Sequence, residues 1–264
     1  MVKITRVICI VLTIFPFLKL IIKKFFTLSS SLISYFNFKG KFKVQNNDNK
    51  KYFLYNNNYY LENNIYWRGI DEFEWELNAR NIWIELSKKS NVIFDIGSNT
   101  GIYAVLSKVY NKSSEVYAFE PQPNIYEILK KNILINKFDI HSEKIAISNR
   151  TGSLPFYNYG DKTFSSVNTT AGSLNKNWRA HKRFHRSIMV PIISLKEYIN
   201  EHKITNIDLM KIDVETHEYE VLLGMENYLK DFRPIIILEI INTDLGNKIH
   251  SLFNEINYQY YNIK

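Results

Sequence analysis

The stretch NVIFDIGSNTGIYAVLSKVY, residues 91–110, decides the fold. Its first half, Asn91 to Ile96, is a short apolar run with β-branched residues that ends at Gly97, the pattern of a buried strand. Its second half, Gly101 to Tyr110, reads as a helix. The alternation then repeats. Glu115–Phe119 reads as a second strand, Gln122–Asn136 as an amphipathic helix and Lys144–Ile147 as a third strand. Strand, helix, strand, helix, strand implies parallel strands joined by crossovers, hence an α/β sheet. Farther along, Ile207–Asp213 is expected as a fourth strand and His217–Leu229 as its helix. Pro234–Ile240 is expected as a fifth strand, apolar enough to be central. A helix near Lys248–Ile256 and a short strand at Tyr258–Tyr261 close the chain. Upstream, Glu72–Ser87 shows helical spacing, and the Asn-, Lys- and Tyr-rich residues 40–65 read as a linker with short strands.

The 264 residues are 45% hydrophobic, enough to bury a sizeable core, which excludes a wholly disordered chain. The single cysteine, Cys9, excludes an intramolecular disulfide framework and a cysteine-clustered zinc or iron–sulfur site, and suits a reducing compartment. The net charge of +8 suggests nucleic acid until it is located. Residues 1–51 hold ten Lys/Arg against Asp48 alone, a net of +9, so the rest of the chain carries −1. A near-neutral body is a poor fit to a surface that must neutralise many phosphates.

The basic arm, MVKITRVICIVLTIFPFLKLIIKKFF, has an uncharged run of 12 residues from Val7 to Leu18. As a helix that run reaches about 18 Å, short of the ~30 Å of a hydrocarbon core. Pro16 interrupts it, and Lys19, Lys23 and Lys24 follow. Three arrangements fit the arm: a signal peptide, an anchor lying at a membrane surface with its lysines on anionic headgroups, and a helix packed on the body or a partner. The chain therefore divides into an arm (residues 1–40), a linker (41–71) and an α/β domain (72–264) carrying an insertion at 151–190.

Three places carry residues suited to chemistry. In Asp95-Ile-Gly-Ser-Asn-Thr-Gly101, two glycines permit a tight turn and close approach of a ligand to the backbone. The spacing is G-x-x-x-G and not the dinucleotide fingerprint G-x-G-x-x-G, and the preceding acid suits a cationic ligand better than a pyrophosphate. Two-glycine turns also occur without any ligand. Glu120, 25 residues after Asp95, ends the second strand, where a carboxylate can accept hydrogen bonds from both hydroxyls of a ribose. The third place is Lys211-Ile-Asp-Val-Glu-Thr-His-Glu218. Asp213 ends the fourth strand and so faces the same crevice, Glu215 and Glu218 suit a helix N-terminus, and His217 has the ordinary pKa of a general base. Glu239 ends an apolar strand, and an acid buried there needs a partner or a role.

FDIGSNTG (94–101), YAFEPQP (117–123), IAISNRTG (145–152), MKIDVETHEYEVLLG (210–224) and IILEI (236–240), in this order and spacing, resemble the FkbM family of methyltransferases. The resemblance covers residues 72–258 and implies a Rossmann-like, mostly parallel twisted sheet with helices on both faces. It implies S-adenosylmethionine as cofactor and methyl transfer, usually to a hydroxyl oxygen of a sugar, polyketide or other small molecule. It implies that Asp95, Gly97, Asn99 and Gly101 form the cofactor loop and that Glu120 binds the ribose. It places the adenine at Ala146 and Ile147, and Asp213 with Glu215 as an acidic pair. Glu239 matches the family's acid in the last parallel strand. Glu74 or Glu76 matches a glutamate that often precedes the loop. Thr216 departs from the family, which usually has glycine there, and the chain has few residues for a final antiparallel strand.

The expected reaction is in-line attack of an acceptor oxygen on a sulfonium methyl, with Asp213 in the site and His217 as base candidate. The insertion segment Lys176–Arg186 has five Lys/Arg and two aromatics in eleven residues, a composition suited to an anionic acceptor such as a nucleotide-sugar or lipid-linked glycan. The corresponding location is the cytoplasm, at the membrane surface. Two other readings stay open: N- or RNA methylation, against which stands the lack of an N-P-P-Y-like motif, and a non-catalytic cofactor-binding module.

Overall fold

This computed structural model describes residues 33, 38–159, 172–178 and 185–263, which fall into two compact units, one ending at Leu77 and the other beginning at Asn78. In the first unit, β1 (Lys39–Gln45) and β2 (Lys51–Asn57) form an antiparallel hairpin with Lys39 opposite Asn57. Phe42, Val44, Tyr52 and Leu54 are buried, the two-residue period of a half-buried hairpin. Helix α1 (Tyr60–Arg68) follows, and the rings of Phe38, Phe42 and Tyr66 meet with centroids 4.4–5.8 Å apart. The sequence hides this helix because the positions it buries include Glu62, Asn63 and Asn64, which break the apolar spacing. Asn63 is satisfied inside, taking a hydrogen bond from Asn56 and giving one to the Ile33 carbonyl.

The second unit starts within α2 (Leu77–Ser87) and continues through β3 (Val92–Ile96), α3 (Ile102–Tyr110), β4 (Glu115–Phe119), α4 (Pro123–Asn136) and β5 (His141–Glu143). Next come β6 (Ala146–Ser148), β7 (Gly152–Tyr159), β8 (Gly172–Ser173), β9 (His185–Ser194) and α5 (Leu195–His202). The chain closes with β10 (Leu209–Ile212), α6 (Glu218–Leu223), α7 (Asn227–Phe232), β11 (Ile235–Leu238) and α8 (Thr243–Glu255).

The main sheet has the order β11-β10-β3-β4-β5, and every pair in it is parallel. Alternate residues point to opposite faces. Phe94, Ile96, Met210 and Ile212 share one buried cluster with Leu195, Tyr198, Val221, Leu222 and Phe253, so α5, α6 and α8 cover that face. Asp95 and Lys211 point the other way, toward α3. Behind α3 lies α2, whose Trp83 donates its indole N–H to Ser107 Oγ at 2.9 Å. The unit is an α/β, Rossmann-like fold with helices on both faces of a parallel sheet. A second sheet, β6-β9-β7-β8, is built largely from the insertion, in which β7 and β9 run antiparallel from Gly152 opposite Ile192 to Tyr159 opposite His185.

Several expectations are corrected. The third strand of the main sheet is His141–Glu143, not Lys144–Ile147. Ala146–Ser148 instead pairs in parallel with β9, and Ala146 packs among Phe156, Val190 and Ile192. β11 is an edge strand, not a central one, and Ile235 is 52% exposed. An apolar run reports that helices cover the faces of a strand and is silent about its position in the sheet. Glu239, just past β11, is accordingly exposed as a residue, not buried. The helix expected at 217–229 breaks at Gly224–Glu226, with Glu226 at φ 48°, and the helix expected from Glu72 begins only after Glu76, at φ 45°. Residues 258–261 form no strand. Tyr258 stacks on Phe253 at 5.0 Å, and Arg233 donates to the carbonyls of Ile256 and Asn257. Most of the basic segment 176–186 and residues 1–32 of the arm lie outside the described residues. Among the described residues, no helix is long and apolar enough to cross a membrane.

Candidate active site

The β3–α3 turn is shaped by contacts that only its own residues allow. Gly97 has φ +79°, and a Cβ there would stand 1.9 Å from the Asp213 carbonyl oxygen. The main chains at the ends of β3 and β10 therefore touch, and glycine is required where they do. Gly101, at φ +85°, opens α3 and lies against Leu129 of α4. Asn99 also takes a left-handed conformation, φ 53°, which asparagine tolerates better than most residues, and its Oδ1 accepts the Thr100 N–H at 2.8 Å. Asp95 is buried, and its Oδ2 accepts the Ala104 N–H at 3.0 Å. One N–H of the first turn of α3 is thus held by Asp95, which anchors the helix to the strand.

Glu120 sits just past β4 and is 5% exposed. Its Oε2 accepts the Asn99 N–H at 3.0 Å and its Oε1 the Gln122 N–H at 2.8 Å, so it holds the loop from below. Each oxygen keeps capacity for a further donor. Burial raises its pKa to about 8; the two N–H groups oppose this, and the charges of Asp95 and Asp213 add to it. Three acids from three strands therefore share one crevice at the carboxyl ends of the parallel strands, the place where open α/β sheets bind ligands.

The acidic turn after β10 completes the site. Lys211, buried in the strand, donates to Asp213 Oδ2 at 2.6 Å and lies 4.5 Å from the centre of the Tyr103 ring. Burial alone would raise Asp213, but the Lys211 charge, together with hydrogen bonds from Glu239 and Lys211, holds it below the usual carboxylate range. Glu239 is pushed up to about 8 by burial of its carboxyl group, by the Asp213 charge and hydrogen bond, and by Glu215. Glu215 and Thr216 have φ 55° and 79°. Thr216 thus adopts the left-handed conformation that glycine takes readily. Glu218 is fully buried and clamps the turn, its Oε1 accepting the N–H groups of Val214 and Thr216 at 3.1 and 3.2 Å.

His217 is in the same turn but is directed elsewhere. Its Nε2 is 3.0 Å from Ser148 Oγ and its Nδ1 3.7 Å from a Glu220 oxygen. Burial holds its pKa below the ordinary histidine value, with Glu220 opposing. Asp95, Gly97, Asn99, Gly101, Glu120, Asp213 and Glu239 are thus brought together, His217 adjoins them, and Ala146 stands in the second sheet. Sequence reasoning gave no role to Lys211, although a lysine two residues before Asp213 in an apolar strand must share its face. It also missed Ser173 and Asn175 of the insertion, which reach the turn through Ser173 Oγ to the Glu215 carbonyl (2.6 Å) and Asn175 Nδ2 to Thr216 Oγ1 (2.9 Å).

A glycine turn, a buried strand-end glutamate and an acidic crevice thus meet at the carboxyl ends of this parallel sheet. The methyltransferase FkbM domain matches residues 95–260, and the chain belongs to that family. It is similar to the hexuronic acid methyltransferase AglP of Haloferax volcanii, 26% identical over 172 residues, 65% of this chain and 64% of that protein. It is also similar to the 31-O-demethyl-FK506 methyltransferase FkbM of Streptomyces tacrolimicus, 27% identical over 53% of this chain and 61% of the relative. The 2-O-methyltransferase NoeI of Sinorhizobium fredii is 27% identical over 59% and 66%. The chain thus spans just under two thirds of the first two relatives. A crystal structure of a methyltransferase FkbM from Methylobacillus flagellatus KT superposes with a TM-score of 0.41 at 13% identity, over 63% of this chain and 36% of that one.

Proposed function

We propose that the protein transfers a methyl group from S-adenosylmethionine to a hydroxyl oxygen of a sugar, glycan, glycolipid or related small molecule, through residues 72–264. The observation that carries this reading is Glu120, buried beneath the glycine turn with acceptor capacity left on both oxygens. The residues suit the cofactor: Glu120 would take the ribose hydroxyls, the Gly97–Gly101 backbone would pass beside it, and Asp95 and Asp213 favour a cation. Bound there, S-adenosylmethionine would supply an electrophilic methyl on positively charged sulfur. The protein's part is to position the acceptor oxygen and receive its proton. Asp213, ionised and fixed by Lys211, is our choice for the group facing the acceptor, with His217 the alternative base. The acceptor class rests on the relatives, whose names specify a hexuronic acid and O-methylation. The basic arm at residues 1–40 supports a place at an anionic membrane surface on the cytoplasmic side, which the +9 of residues 1–51 favours.

The test is transfer of labelled methyl from S-adenosylmethionine to a panel of nucleotide-sugars, hexuronates, glycolipids, RNA and peptide amines. Alkali-stable label on a hydroxyl of a carbohydrate acceptor is the expected result. Label confined to nitrogen or to RNA would overturn the reading.

A further inference from the structure

Beyond Asp213 the chain passes through two consecutive left-handed residues, Glu215 at φ 55° and Thr216 at φ 79°. For a β-branched residue that conformation is strained, and such strain persists only where neighbouring structure dictates it. Here the neighbour is the second sheet, whose two edge strands, β6 and β8, both send contacts to the turn. From β8, the buried Ser173 Oγ donates to the Glu215 carbonyl at 2.6 Å and accepts the Asn175 N–H at 2.9 Å. Asn175 Nδ2 donates to Thr216 Oγ1 at 2.9 Å, and its Oδ1 accepts the Asn177 N–H at 2.9 Å, which fixes the way the amide faces. From β6, Ser148 Oγ meets His217 Nε2 at 3.0 Å. Glu215, Thr216 and His217 are thus each bonded to the second sheet or the segment that follows β8. Both strands are themselves closely seated. A Cβ on Gly172 would stand 2.4 Å from the Phe156 ring, and one on Gly224, at the end of α6, 2.1 Å from the Ser148 carbonyl oxygen.

The Thr216 contact is the informative one. Glycine takes such a φ without strain, whereas a threonine there needs a reason. Stability is not that reason, because one hydrogen bond between neutral groups stabilises by no more than a left-handed side chain costs. What the hydroxyl adds is a fixed place for the turn. Glu218 holds the same turn, taking the Val214 and Thr216 N–H groups at 3.1 and 3.2 Å. Asp213 is tied separately to β3, its N–H to the Ile96 carbonyl at 3.0 Å, so a turn released at Thr216 shifts beyond Asp213 and leaves the Gly97 contact in place. We infer that Ser173 and Asn175 are positioning residues for methyl transfer: through Glu215 and Thr216 they fix the wall beside Asp213 against which the acceptor is aligned, so the insertion governs turnover and not cofactor binding. The inference rests on the methyltransferase reading and assigns the acceptor side of that same site to the insertion.

Thr216→Gly separates positioning from stability, because it removes the strain and the hydroxyl together. The variant is expected to unfold in urea close to the wild-type midpoint and to bind S-adenosylmethionine with wild-type affinity. Its transfer of labelled methyl to a saturating pool of hexuronates and their nucleotide-linked forms is expected to be about 10- to 100-fold slower. Thr216→Ser keeps a hydroxyl and should restore the rate. Asn175→Ala should lose as much as Thr216→Gly, and the two together no more than either alone. Wild-type turnover in folded Thr216→Gly or Asn175→Ala, or losses that add in the double variant, overturns the inference while leaving the reaction standing. A large fall in the urea midpoint of Thr216→Gly, or a matching loss of cofactor affinity, overturns it as well, since the contact would then serve stability or the cofactor. Absence of transfer by the wild type to any member of the pool overturns the carbohydrate reading and the inference with it.

Discussion

Replacing Gly97 by alanine probes the contact on which the whole crevice depends, and Gly101→Ala is its internal control. The two glycines have nearly the same φ, +79° and +85°, so an added Cβ brings each about the same left-handed strain, about 1–2 kcal/mol. What differs is the neighbour. At Gly101 the new atom meets Leu129 Cδ1 at 2.3 Å, a side-chain end that can rotate away. At Gly97 it meets the Asp213 carbonyl oxygen at 1.9 Å, main chain at the end of a buried parallel strand. Ordinary contact begins near 3.4 Å, so β10 and the loop would have to part by about 1.5 Å. Overpacking of that kind costs about 1–3 kcal/mol. Gly97→Ala should therefore lose about 2–5 kcal/mol and Gly101→Ala about 1–2, read from urea denaturation midpoints at constant slope. Gly97→Ala should also weaken S-adenosylmethionine binding at least tenfold, because Asp213 and the loop move apart. Equal stability of the two variants, or wild-type affinity in a folded Gly97→Ala, would refute the placement of the turn against Asp213.

Asp213→Asn keeps an oxygen to accept the Lys211 hydrogen bond, so it should fold, yet turnover on any acceptor used by the wild type should fall about 10²- to 10⁴-fold; unchanged turnover in a folded variant removes Asp213 from the mechanism. Glu218 titrates near 7 in the folded chain, raised by burial, against 4.5 for an ordinary glutamate, so the folded form binds the extra proton between those values. Stability should fall as pH rises through that window, by up to about 3 kcal/mol relative to Glu218→Gln, which does not titrate. Denaturation of both proteins at pH 5 and pH 8 measures it, and parallel behaviour of the two would contradict the burial of that carboxyl.

Local signals made the centre of the fold legible. The run from Asn91 to Tyr110 switches from strand to helix at two glycines, and Glu120 and Asp213 follow at strand ends where a parallel sheet collects ligands. Less visible was anything set by pairing between distant segments. Nothing in Ala146–Ser148 says that these residues leave the main sheet for β9, because both sites bury small and β-branched side chains. Nothing in Ile235–Leu238 distinguishes an edge strand from a central one. Helix α1 was hidden by buried asparagines, whose partners lie on β2 and at Ile33. In the site, acid positions were readable but their protonation was not. The pairing of Lys211, Asp213 and Glu239 joins two strands, and the direction of His217 depends on Ser148, 69 positions away in sequence.

The central claim is that the crevice beneath the Gly97–Gly101 turn binds S-adenosylmethionine through Glu120. Isothermal calorimetry of the full chain with S-adenosylmethionine, alongside Glu120→Ala, tests it most directly. The account predicts saturable one-to-one binding by the wild type and its loss in a folded Glu120→Ala. Binding that survives the substitution unchanged, or a folded wild-type chain that binds no cofactor, would contradict it.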